Sequence, residues 1–370
     1  MHYRDPSTRH PPIRASPHAF MGGVTPRQVH LTNASDDSHR SMTLLLGDRD
    51  VRDAMDMPAL VDHLERSLRV EAETGGMLLP ARTNLNHPEG FLRVMPVVMP
   101  AAGVLGLKMF HGSLERGVRY VVMVCDLHGG EVLAVVDAAY LTAARTGATS
   151  GVATRHLARP DSASVGLIGS GLEAETNLLG VCAVREVTDV KVFSRNPSRR
   201  EAFADRMRPR VDASIVAVAT PQEAVAGTDI VVVATNTGVG GDVAYRGEWI
   251  EPGQHIVSIG STTPQLREID VATFMRSDVV VFDAAADQVE DESGDVAALH
   301  AASRSWPGAT DLAGLLTGSS VGRKSSSQVT LFKSVGTAAQ DLAAAACIAE
   351  EAGRRGLGNK VTDIAEAKLF

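Results

Sequence analysis

The sequence predicts an α/β protein in which a doubly wound parallel sheet is preceded by a second, α+β lobe. Three observations predict it. Residues 158–335 alternate short apolar runs with helical or turn segments, and a glycine-rich turn follows the first of those runs. The stretch before them carries closely spaced strands interrupted by Gly and Pro, without that alternation. Length agrees, because 370 residues exceed what one hydrophobic core usually organises.

In chain order, residues 43–46 form an apolar strand, followed by a helix that places Leu60, Val61, Leu64 and Leu68 on one face. Asp56 and Pro58 supply its start signal. Strands are predicted at 77–79, 104–110, 120–126 and 132–136, paired antiparallel. A long helix starts after Asp137 and runs through 153 or beyond, with Leu141, Ala144, Ala148 and Val152 as a small-residue stripe suited to close packing. The strands of the parallel sheet follow at 165–168, 190–193, 214–218, 230–234, 255–259 and 279–282, buried on both faces. Residues 329–332 then lead into an Ala-rich helix over 337–352, with Gly353 or Gly356 as its stop.

Composition excludes several function classes. The chain is 44% hydrophobic and 22% charged, and no uncharged apolar run approaches the roughly 18 residues of a membrane span. A net charge of −8, without any long acidic block, argues against a nucleic-acid partner, since phosphate binding needs Lys and Arg clustered on one face. Cys125, Cys182 and Cys347 are far apart and lack C-x-x-C spacing, which points to buried thiols in a reducing, cytoplasmic compartment and to no metal site. Residues 1–41 differ from the rest, being rich in Pro, Ser, Arg and His, and are expected to be a disordered tail. Asp5 is the only acid before Asp36, a faint likeness to a transit peptide, and a start codon assigned too early explains the tail equally well.

The cofactor site is the most local signal. Gly169-Ser170-Gly171-Leu172-Glu173-Ala174 fits G-x-G-x-x-A with a predicted strand before it and a helix after it. Gly169 permits the tight turn, Gly171 lets a pyrophosphate approach the backbone, Ala174 lets the helix pack near the strand, and the helix N-terminus offers N–H groups to phosphate. This is a Rossmann-type dinucleotide site. The second strand ends in Ser194-Arg195-Asn196, where NAD-binding sites place a carboxylate on the ribose. With no carboxylate there, and with Arg195, Arg199 and Arg200 available to a 2′-phosphate, NADP(H) is favoured and NAD(H) is the alternative. Thr235 and Asn236, at the end of the fourth strand of that sheet, border the same crevice.

Four segments complete the pattern: Pro80-Ala81-Arg82, Leu105-Gly106-Leu107-Lys108, Leu141 through Ala148 around Arg145, and Val329 through Gly336. Their identity and order resemble the ornithine cyclodeaminase and mu-crystallin family over nearly everything from Met42 to about Gly356. The resemblance implies that Arg82, Lys108 and Arg145 gather around the carboxylate of an amino-acid or imino-acid substrate, and that Lys333 and Ser334 line the nicotinamide end. Physical chemistry agrees for Arg145, a charge within a small, apolar stripe that needs an anion. A ligand would serve, and so would an internal carboxylate such as Asp137 or Glu71. The resemblance, with the small-residue helices, also implies a homodimer. The expected domains are then 42–157 for substrate binding and dimerisation, completed by 336–370, and 158–335 for NAD(P).

One departure from the family's pattern bears on the reaction. Cyclodeaminases of the family carry an aspartate soon after the fifth strand of the cofactor domain, as general base. Here the stretch reads Ile259-Gly260-Ser261-Thr262-Thr263-Pro264, with Thr262 in the aspartate's place. A neutral hydroxyl is a poor base near neutral pH. Deaminating an ammonium substrate needs that base, whereas reducing a protonated imine needs mainly a hydride and a positioned carboxylate. The expectation is therefore a reductase of α-imino acids, with Lys108 as a candidate proton donor and Thr262 beside the reacting centre. An ornithine cyclodeaminase or alanine-type dehydrogenase, and an NADPH-binding crystallin-like protein without turnover, stay as alternatives.

Overall fold

The computed structural model describes residues 42–113, 115–302, 308–362, 364–365 and 367–368. The expected tail, 1–41, lies outside the described residues.

Strand β1 (Met42–Leu46) leads into α1 (Asp48–Ala54) and α2 (Met57–Thr74). Helix α2 starts where the sequence says it should: the Asp56 side chain accepts from the Ala59 N–H, Pro58 sits in the first turn, and Leu60, Val61 and Leu64 are buried. A meander follows, β2 (Thr83–His87), β3 (Gly90–Met99), β4 (Val104–Ser113), β5 (Gly117–Asp126) and β6 (Val132–Asp137). Next come α3 (Ala139–Leu157), β7 (Ser164–Ile168), α4 (Leu172–Cys182), β8 (Asp189–Phe193), α5 (Pro197–Met207), β9 (Ser214–Ala217), α6 (Pro221–Val225), β10 (Ile230–Val233) and β11 (His255–Ser258). The chain continues through α7 (Val271–Met275), β12 (Val279–Phe282), α8 (Ala286–Glu292), α9 (Gly294–Ala302), β13 (Thr310–Asp311), α10 (Leu312–Thr317) and β14 (Thr330–Lys333). It ends with α11 (Ala338–Arg355) and β15 (Asn359–Thr362).

Two sheets result among the described residues. The eight-stranded sheet runs β13-β12-β14-β11-β10-β7-β8-β9, parallel throughout, and its order reverses between β7 and β10. That reversal opens a crevice beyond the carboxyl ends of the two strands, the ligand position of a doubly wound sheet. Every residue of β10, β11 and β14 is buried; β10 is apolar throughout, while β11 and β14 enclose His255, Ser258, Thr330 and Lys333 at the ends of their apolar pairs.

The seven-stranded sheet runs β15-β1-β6-β5-β4-β3-β2. Three of its features depart from the sequence reading. Strand β1 pairs parallel with β6, so the sheet is mixed. Residues 77–79, hemmed between Gly76 and Pro80, make only a single bridge, from Leu78 to Val98. The hairpin β2–β3 stands instead where no strand was predicted, because all five residues of β2 are exposed and leave no alternation to read.

Helix α11 lies on the seven-stranded sheet and also touches α1, α2 and α3, while β15 closes that sheet's edge beside β1. Gly106 admits it: a Cβ there would lie 2.7 Å from the Leu342 side chain. Helix α3 is the wall shared by the two lobes. A Cβ on Gly147 would come within 2.1 Å of the Thr176 carbonyl, so α3 and α4 meet backbone to backbone.

Candidate active site

The glycine turn leaves β7 with Gly169 at φ 130, a region costly for any side chain, and a Cβ there would lie 2.2 Å from the Ala234 carbonyl. Gly171 is different: a Cβ would meet nothing within 4 Å, so the turn is open on the side where a pyrophosphate would lie. Gly171 caps α4 without a side-chain hydrogen bond, which leaves first-turn N–H groups to a ligand, and Ala174 is fully buried behind them. Leu172 is exposed and Glu173 half-buried at the mouth of this turn. These residues fit a dinucleotide.

At the end of β8 the Ser194 and Ser170 hydroxyls are 3.0 Å apart. Arg195 is exposed and donates to the Asn236 carbonyl at 3.3 Å, Arg200 donates to the Ser194 carbonyl at 3.0 Å, and Asn196 caps α5. Two basic side chains and two hydroxyls therefore surround the point where the second nucleotide-domain strand ends. The Thr235 N–H and hydroxyl both donate to Glu268 Oε1, at 2.7 and 3.0 Å, so this threonine is tied to the buried Glu268.

On the other lobe, Lys108 comes from β4 and Arg145 from α3, and both are buried. They meet on a single oxygen. Asp341 Oδ1, from α11, accepts from Lys108 Nζ at 2.9 Å and Arg145 Nε at 2.8 Å. Arg145 Nη1 also donates to Gln340 Oε1 at 3.0 Å. The expected internal partners are thus replaced: Asp137 accepts from the Ala139 N–H, Glu71 accepts from the Ala102 N–H, and the carboxylate on Arg145 is 196 residues away in sequence. Burial opposes ionisation of Asp341, but Arg145 and Lys108 more than offset it and hold the carboxyl below its ordinary range. Burial, only partly offset by Asp341, brings the Lys108 ammonium down to about 8.

Arg82 is paired with Glu292 from α8 and donates to the Val335 and Gly336 carbonyls at 3.2 and 3.0 Å. The loop from β14 to α11 is thereby the hub of the site. Asp283 accepts from the Ser334 hydroxyl at 2.6 Å, from the Val335 and Gly336 N–H groups, and from Gln340, which holds Arg145. Gly336, at φ 79, is required twice, since a Cβ would lie 2.7 Å from the Arg145 guanidinium. Ser334 serves this loop, and Lys333 is fully enclosed, 3.2 Å from Ser258 Oγ and 3.3 Å from Asp295 Oδ2. Thr262 is half-buried in the loop after β11, whose neighbour Ser261 is anchored to the Leu266 carbonyl and Ser293.

Asp341, Glu292, Asp283, Gln340 and Glu268 were not singled out from the sequence. Asp341 could have been: it is an acid in the first turn of an alanine-rich stretch, well before the helix's other acids, Glu350 and Glu351, and so a charge among small apolar residues, as Arg145 is on α3.

Comparison with known proteins gives the following likenesses. The model of the ornithine cyclodeaminase/mu-crystallin family matches residues 42–356. A Δ1-pyrroline-2-carboxylate reductase of Bacillus cereus is 30% identical over 303 residues, 77% of this chain and 89% of the relative. The structure of Thermococcus litoralis Δ1-pyrroline-2-carboxylate reductase in complex with NADH and L-proline superposes with a TM-score of 0.80 at 32% identity, covering 86% of this chain and 100% of that one. An archaeal alanine dehydrogenase dimer with bound NAD gives a TM-score of 0.78 at 27% identity, covering 87% and 99%. Among the described residues no helix is long and apolar enough to cross a membrane.

Proposed function

Because the chain belongs to the ornithine cyclodeaminase/mu-crystallin family, we propose that it is a nicotinamide-nucleotide-dependent reductase of α-imino acids, of the cyclic ketimine or pyrroline-2-carboxylate type. The observation that carries the reading is the shared Asp341 oxygen. Two buried cations meet on one oxygen of one carboxylate, so each keeps donors that Asp341 does not take up, in a place where an unmet charged donor is costly. An anionic substrate group meets those donors. Asp341 and Gln340 take up Nε and Nη1 of Arg145, so its Nη2 corner and the Lys108 ammonium are the groups offered to the substrate carboxylate. Arg82, braced by Glu292 and two carbonyls, holds the loop that holds Arg145 and adds positive potential.

The nucleotide's part is to supply hydride to the C=N carbon; the chain's part is to hold the carboxylate so that this carbon is presented to it. The backbone of the turn from Gly169 to Ala174 binds the pyrophosphate, the Glu173 side chain taking no part, and Arg195 with Arg200 and Ser194 meet the adenosine ribose. The absence of a carboxylate at Ser194 makes NADP(H) the preferred form, with NAD(H) accepted. Thr262 borders the reacting centre as a neutral hydroxyl, which favours reduction over deamination. The working unit is a homodimer, as in the dimeric alanine dehydrogenase it resembles.

The test is a panel of Δ1-pyrroline-2-carboxylate, Δ1-piperideine-2-carboxylate and linear α-imino acids, run with NADPH and with NADH. Oxidation of either nucleotide by a cyclic imine is the expected result. Ammonia release from ornithine without imine reduction, or tight nucleotide binding with no turnover at all, would replace the reading.

A further inference from the structure

The mechanism above leaves one buried acid without employment. Glu173, in the first turn of α4, is half-buried as a residue, yet its Oε2 is enclosed and has no hydrogen-bond partner among the described residues. Its charge is felt by Lys108 from β4, Arg145 from α3, Tyr120 from β5, Asp341 from α11 and Glu268 from the segment before α7. It stands in the glycine turn's own helix start, and the charges that act on it are those of the cationic pair and its counter-ion, so it links the two halves of the proposed site. An orphaned carboxyl oxygen in such a place is costly unless a ligand completes it.

We propose that Glu173 is the general acid of the reaction, donating the proton that the imine nitrogen gains. The inference rests on the reductase reading. The carbon receives the hydride pair, the nitrogen receives the proton of the Glu173 carboxylic acid, the C=N double bond becomes a CH–NH single bond, and the carboxylate left behind is reprotonated from water. Lys108 is less suited, since its ammonium is already shared between Asp341 and the substrate carboxylate. Charge balance gives the acid its timing. Burial raises the Glu173 carboxyl to about 7 in spite of Arg145 and Lys108, which still favour its ionised form. Once a substrate carboxylate takes those cations, that support is withdrawn and Glu173 takes up a proton from solution.

Two measurements test this. The first is calorimetric titration of the nucleotide-loaded protein with pyrrole-2-carboxylate, a flat anion, in buffers of different ionisation heat. Wild type is expected to take up a fraction of a proton near pH 7, and E173Q only the small remainder that Lys108 gains; uptake in wild type no larger than that remainder overturns the assignment, even if E173Q does not fold. The second is steady-state reduction of a cyclic imine at pH 8. E173Q is expected to lose about 100-fold or more in kcat, with nucleotide affinity held within about threefold, and to recover towards wild type in acid, where the imine arrives protonated. E173D should keep the proton uptake with a lowered kcat. Equal activity of E173Q and wild type, or joint loss of nucleotide binding and turnover, overturns the assignment. If wild type itself reduces no imine, the reductase reading falls first.

Discussion

The two halves of the site hold negative charge in different ways. The glycine turn uses backbone N–H groups at the start of α4, dipoles that need no counter-ion and can wait exposed for a ligand. The cationic pair uses ionised side chains taken out of water, and Lys108 and Arg145 are tolerable there only because Asp341 lies between them. The first arrangement is contained in six consecutive residues. The second draws on β4, α3, α11 and the loop after β14, so it is formed only when the whole chain is folded. A site of the second kind is fragile towards loss of its internal counter-ion, and one of the first kind is not.

The largest way to break the comparison is Asp341→Ala. It strands two buried cations and is expected to cost about 3–5 kcal/mol of stability, read from urea unfolding. The pH dependence has a definite sign. Asp341's carboxyl is held below its unfolded value, so its contribution is present above pH ~3.9 and is lost as pH falls through the lower folded value. A variant whose stability differs from wild type by less than about 1 kcal/mol would show that the pair is not held by Asp341.

Arg145→Ala comes next. The imine kcat/KM is expected to fall about 100-fold, with NADPH affinity unchanged by fluorescence titration. Equal collapse of nucleotide binding would mean that the two halves are not separate. Gly336→Ala combines a left-handed backbone with a Cβ against the Arg145 guanidinium, and should destabilise by roughly 1–2 kcal/mol while raising the imine KM. The smallest effect is on the nucleotide side. Arg195→Ala should weaken NADPH binding about tenfold and leave NADH nearly untouched, because one charge-assisted contact to the 2′-phosphate is removed. If both nucleotides weaken alike, Arg195 does not read the phosphate.

The same contrast explains what the sequence could reveal. The parallel strands and the glycine turn are local patterns, apolar runs buried on both faces and a motif between strand and helix, and the structure has them within a residue or two. The α2 start at Asp56 was legible for the same reason, a side chain bonded to a backbone N–H three residues on, whereas Thr337, read as the first residue of the last helix, is its cap. The arm strand β2 was not, since Thr83, Asn84, Leu85, Asn86 and His87 are exposed and held only by their neighbour β3. In the site, Arg145 announced that it needed an anion but not which one: Asp341 is set by how α11 packs on α3, a long-range contact that no spacing encodes. Lys333 shows the converse, a lysine at a strand end whose ammonium turns into the core towards Asp295.

The most direct test of the central claim is a structure of the chain with NADPH and L-proline bound. The account predicts the nucleotide's pyrophosphate over Gly171, the proline carboxylate within hydrogen-bond reach of Arg145 and Lys108, and the proline nitrogen turned towards Glu173. A carboxylate bound elsewhere, with Arg145 still closed upon Asp341 and Gln340 alone, would contradict it.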